Sequence, residues 1–148
     1  MASATVLLQV ASWPAVIQIL RSFSLIPSMV LRGREIYTLV TYMFLHSSLI
    51  HFALNALALL AAGIAVEKDI GSGRFALLFF ASGTIAGLVH CIAYPRSNIP
   101  VVGASGAIFG VIAVLFLLMP LKITFAIVLP LPAVLVGIIL VLVETYSV

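Results

Sequence analysis

Residues 46–74 read HSSLIHFALNALALLAAGIAVEKDIGSGR, and the way this stretch is divided decides the fold. From residue 47 to residue 66 it is apolar apart from Ser47, Ser48, His51 and Asn55. It then meets Glu67-Lys68-Asp69 and Gly71-Ser72-Gly73-Arg74. About 20 apolar residues in helical form cross the ~30 Å hydrocarbon core of a bilayer, whereas a charged, glycine-rich turn cannot sit in hydrocarbon. The stretch is therefore a membrane span closed by a tight helical hairpin.

Apolar runs of similar length flank it, at residues 4–20, 75–94, 103–119 and 123–142. The first has no basic residue before it and is interrupted by Trp13-Pro14 and Gln18, so it reads as a retained span rather than a signal peptide. Residues 21–45 carry Arg32, Arg34 and Glu35 around a broken apolar run and read as interfacial. Pro130 and Pro132 are expected to kink the last run. With 64% hydrophobic and 7% charged residues, the chain has too little polar surface for a soluble globule. The expected fold is an all-α membrane protein, a polytopic bundle of about five transmembrane helices forming one domain over residues 1–148 in a lipid bilayer.

The net charge of +3 comes from seven Lys or Arg against four Asp or Glu, placed singly at the ends of apolar runs. No basic face forms, so nucleic-acid binding is unsupported. The single cysteine, Cys91, excludes an internal disulfide. Three separated histidines lack the clustering of a metal site, and no cofactor is implied. Small residues mark the packing faces, because helices in lipid associate by close approach. Gly83 and Gly87 form a GxxxG pair, and Gly103, Gly106 and Gly110 share one side of the fourth run. The charge distribution does not decide orientation.

Strongly polar side chains inside a span cost a few kcal/mol on insertion scales and are candidates for function. His51 and Asn55 lie four positions apart on one helical face, and His46 stands at the entrance. Taken alone, such groups more often tie helices together through hydrogen bonds of roughly 0.6 to 2 kcal/mol. The second motif changes the balance. Gly103-Ala104-Ser105-Gly106 opens the fourth run, two spans later, and so lies near the same membrane surface as His51. A serine between small residues at a helix start has free backbone N–H groups around it that can point at an oxyanion.

Together these residues resemble a known family. Thr41-Tyr-Met-Phe-Leu-His46-Ser-Ser-Leu-Ile-His51-Phe-Ala-Leu-Asn55 resembles the second-helix pattern of the rhomboid intramembrane serine proteases. Residues 63–75 resemble the hairpin that follows it, and Val102-Gly103-Ala-Ser105-Gly106-Ala-Ile-Phe-Gly110 resembles the nucleophile helix. The resemblance runs from about residue 23 to residue 148. It implies that Ser105 attacks the scissile carbonyl, that His51, Asn55 and the Ser105 amide stabilise the oxyanion, and that His46, Gly103 and Gly106 support the site. It also implies transmembrane proteins as substrates, a cytoplasmic N-terminus and a site opening to the outer face. A multi-pass protein of a prokaryotic plasma membrane is expected, with the oligomeric state undetermined. His90 is expected to pack or hydrogen-bond. Glu67, about 24 Å of helix below His51, belongs elsewhere.

The resemblance further implies a sixth core helix whose histidine, in an Ala-His context, deprotonates the serine. The 148 residues hold no such segment, and a serine hydroxyl is a weak nucleophile without an adjacent base. Three explanations stand in order: a truncated form or gene fragment of an active protease, an inactive relative that binds transmembrane clients, or His90 or His46 as a substitute base. The ending Thr145-Tyr146-Ser147-Val148 reads as an interruption.

Overall fold

The computed structural model describes residues 13–118, 123–126 and 129–132. Among the described residues, two helices are long and apolar enough to cross a membrane: α4 (Leu49–Ile70) and α5 (Ser72–Ala93), with mean hydropathies of 2.1 and 2.0. Ser48 starts α4 by accepting the backbone N–H of His51 at 3.1 Å, satisfying a donor that has no partner within the first turn. The helix ends at Gly71, whose φ of 83° favours glycine, and α5 begins at the next residue. Gly63 lets the two helices close on each other, since a Cβ there would lie 3.1 Å from the Phe75 ring.

The third apolar helix, α6 (Ser105–Leu118), has 14 described residues, about 21 Å of helix. It packs on α5 through small residues on both sides. A Cβ on Gly110 would run into Ser82, one on Gly106 would sit 2.5 Å from the Ala86 Cβ, and one on Gly83 would be 3.2 Å from the Ala107 Cβ. Buried residues of α5 recur every four positions, at Phe79, Gly83, Gly87 and Cys91. Leu77, Ile85, Val89 and Ile92 are exposed on its other sides. A helix with its small residues turned inward and its large aliphatic residues outward is built for lipid rather than water.

Before this hairpin the chain forms a series of short elements. These are α1 (Trp13–Phe23), α2 (Pro27–Val30), α3 (Thr38–Thr41) and a 3₁₀ turn at Tyr42–Phe44. The last carbonyls of α1 are taken up from the side: Tyr37 Oη donates to Ser22 O and Thr41 Oγ1 to Phe23 O, both at 2.8 Å. Leu25 and Val101 exchange backbone hydrogen bonds of 3.0 and 2.8 Å. The Ser28 amide donates to Ser97 O at 3.0 Å, and its hydroxyl donates to Asn98 Oδ1 at 2.5 Å. The segment between α1 and α3 is thereby pinned to the loop that leads into α6.

Three expectations are adjusted. The span placed at 47–66 continues helically to Ile70, because Glu67, Lys68 and Asp69 remain in the helix and only Gly71 breaks it. The helix expected over 4–20 is described from Trp13 and extends to Phe23, and residues 4–12 lie outside the described residues. The kinked helix expected over 123–142 begins differently: β1 (Ile123–Ala126) and β2 (Leu129–Pro132) pair antiparallel, with Phe125 opposite Pro130. Two prolines within three residues remove helix donors and fit a short two-stranded edge, while β-branched Ile123 and Thr124 favour extended backbone. Residues 133–142 lie outside the described residues.

Candidate active site

The two motifs meet. Gly103 has a φ of +125°, and a Cβ on it would lie 3.0 Å from His51 Cε1, 3.1 Å from His51 Nε2 and 3.8 Å from Ser105 Oγ. The imidazole edge that carries Nε2 and the serine hydroxyl therefore converge on one glycine, which has the room and the backbone freedom that a side chain would remove. Gly103 is itself held from below, its amide donating to Tyr42 O at 3.0 Å. Ser105 opens α6, and the first amide of that region to bond back is Ile108, to Ala104 O at 3.0 Å. The N–H groups before it belong to the helix start, where partial positive charge collects beside the Ser105 hydroxyl.

His51 sits in the first turn of α4, half-buried. Its Nδ1 is 3.0 Å from Ser47 Oγ, and its ring meets that of His46 edge-to-face with centroids 5.1 Å apart. His46 is buried and also packs edge-to-face on Phe52, at 5.3 Å. Asn55, one turn below His51, is buried and donates its side-chain amide to His51 O at 3.0 Å. Behind these residues lies an apolar cavity of about 220 Å³, walled by Met43, Phe44, Phe52 and Ile108, with His46 and Asn55 as its polar members.

Of the residues singled out from the sequence, His51, Gly103 and Ser105 come together directly, with His46 and Asn55 in contact with His51. Gly106 does other work: a Cβ there would press on Ala86 of α5, so it sets helix spacing. His90 is away from this cluster in its contacts, its ring tilted over Tyr94 at 4.9 Å. Two contributors were not foreseen. Ser48 caps α4 and Ser47 reaches the His51 ring, and the signal for the former was available, since two serines before an apolar run mark a helix start.

The arrangement offers a hydroxyl, an imidazole edge and a helix N-terminus around one small space, a nucleophile and oxyanion donors of the kind that acyl transfer uses alongside a general base. A family model described as the rhomboid domain matches residues 33–148. Rhomboid protease GluP of Bacillus subtilis is 41% identical over 88 residues, covering 60% of this chain and 17% of that protein. RHOMBOID-like protein 4 of Arabidopsis thaliana is 40% identical over 83 residues, 56% of this chain and 21% of that protein. Inactive RHOMBOID-like protein 8 of the same plant is 36% identical over 80 residues, 54% and 22% of the two chains. The chain thus spans about a fifth of the length of these relatives. No solved structure matches it. Apolar helices of spanning length, the His51 and Ser105 motifs in register, and a domain match over most of the sequence lead to one assignment: the chain belongs to the rhomboid family of integral membrane proteins.

Proposed function

We propose that this protein is a serine endopeptidase that cleaves transmembrane segments of other membrane proteins, with Ser105 as the nucleophile. The observation that carries the proposal is the convergence of His51 Nε2 and Ser105 Oγ on Gly103. In the proposed reaction the Ser105 hydroxyl attacks the scissile carbonyl as its proton passes to a base, which the family resemblance assigns to a histidine of a later core helix. The oxyanion that forms is met by the Ser105 amide and by the His51 ring. Asn55 is proposed as a further oxyanion donor, its side-chain amide one turn from the His51 ring and bonded to His51 O, while His46 packs against that ring and supports it. A peptide bond within a membrane helix has its carbonyl hydrogen-bonded and no water beside it. Substrates with helix-loosening residues near the membrane surface are therefore proposed.

The test is labelling of the longest native form in membranes with a fluorophosphonate probe. Modification that maps to Ser105 and disappears in Ser105→Ala is the expected result, and an unlabelled native protein would overturn the proposal. A second reading, an inactive rhomboid that binds transmembrane clients, is supported by the similarity to a relative named as inactive. On that reading Ser105→Ala leaves both client capture and biological effect intact.

A further inference from the structure

We propose that Ser47 is a positioning residue that sets which nitrogen of His51 carries the proton; this rests on the reading of Ser105 as a nucleophile with His51 at its oxyanion. The His51 ring has two polar edges and they face different neighbours. Nδ1 lies 3.0 Å from Ser47 Oγ, four residues earlier and just outside the helix. Nε2 points the opposite way, to the place where a Cβ on Gly103 would be 3.1 Å from it and 3.8 Å from Ser105 Oγ. The ring also packs edge-to-face on His46.

A neutral imidazole has one N–H and one lone pair, and the partner of one nitrogen decides the character of the other. When the Ser47 hydroxyl donates to Nδ1, the ring proton is on Nε2 and a donor faces Ser105. When Nδ1–H donates to Ser47, Nε2 turns a lone pair toward Ser105 and repels a developing oxyanion. Ser48, the adjacent hydroxyl, is engaged by the His51 backbone N–H at 3.1 Å, so the two serines divide the work: Ser48 starts the helix and Ser47 meets the ring. A hydroxyl can supply the proton that Nδ1 needs. A carboxylate at position 47 could only accept, and would force the opposite tautomer.

The experiment is nitrogen NMR of the native-length protein with ¹⁵N-labelled histidine in lipid nanodiscs. His51→Gln identifies the signals of interest among those of the other histidines. The expected result is a protonated Nε2 and an unprotonated Nδ1 in the native protein and in Ser47→Thr, mixed tautomers in Ser47→Ala, and a protonated Nδ1 in Ser47→Asp. In parallel, kcat is expected to fall about 10²-fold in Ser47→Asp, as when an oxyanion donor is removed, with KM unchanged and Ser47→Thr near native. A protonated Nδ1 in the native protein, or tautomer populations unmoved by Ser47→Ala, would overturn the proposal. Absence of fluorophosphonate labelling at Ser105 in that same native protein overturns the functional reading instead, so the two failures are told apart.

Discussion

The Tyr42 hydroxyl donates to the backbone carbonyl of Gly83 at 2.8 Å, a bond that joins the segment before α4 to the middle of α5. The Tyr42 ring reaches this position between two glycines. A Cβ on Gly87 of α5 would lie 3.2 Å from its Cε1, and one on Gly106 of α6 would lie 3.5 Å from its hydroxyl. The same residue gives its own carbonyl to the Gly103 amide. Tyr42 therefore works as a wedge that fixes α5, α6 and the glycine of the site relative to one another.

Removing the hydroxyl tests this. Tyr42→Phe is expected to lower stability by about 1 kcal/mol through the lost hydrogen bond, read as a lower melting temperature in detergent micelles. The alkaline limb should change with it. Burial, with the Cys91 thiol beside it, pushes the Tyr42 phenol up to about 12, whereas a solvated phenol titrates near pH ~10. The folded state thus holds this proton more tightly than the unfolded state. Its contribution is complete below pH ~10 and is lost as pH rises toward 12. Melting temperatures measured from pH ~8 upward should fall more steeply in the native protein than in Tyr42→Phe. Parallel curves would show that the phenol is not the wedge.

The spacing of α5 and α6 rests on Gly110 and Ser82, which leave no room for a methyl group between them. Gly110→Ala is expected to destabilise the bundle by about 1 to 3 kcal/mol, the usual cost of overpacking. Ser82→Gly removes the atoms that the new methyl would strike. The double variant is therefore expected to recover most of the melting temperature that Gly110→Ala loses, and a purely additive outcome would place the contact elsewhere.

Much of this was legible in advance, and for physical reasons. Apolar length made α4 and α5 readable, and glycines at spacings of three and four announced the face of α6 that meets Ser82 and Ala86. The order of the His51 and Ser105 motifs, two spans apart, brought them to one end of the helices, and the two motifs meet at Gly103. Other features left no clear mark. Glu67, Lys68 and Asp69 looked like a turn, yet helix continues through them because charged residues at the edge of a bilayer are compatible with helix and only Gly71 is not. The run from Ile123 is apolar enough for a kinked helix or for strands, and periodicity cannot separate the two in a short apolar stretch. Gly106 reads from the sequence both as a packing glycine and as a support of the site, and its α-carbon faces Ala86 of α5, in keeping with the first.

Gly103 supplies the sharpest test of the site, because two penalties meet there and can be separated. Its φ of +125° is strained for any residue with a Cβ, a cost of order 1–3 kcal/mol, and that Cβ would also press on the His51 ring at 3.0 Å. Gly33 serves as the control: its φ is +74°, and a Cβ there would meet nothing within 4 Å. Gly33→Ala is expected to lower the melting temperature and leave the rate of fluorophosphonate labelling at Ser105 near native. Gly103→Ala is expected to slow that labelling by about 10²-fold, since the displaced ring no longer faces the hydroxyl, while circular dichroism still reports the same helix content. Equal labelling in the two variants would mean that the His51 ring has no part in the reactivity of Ser105.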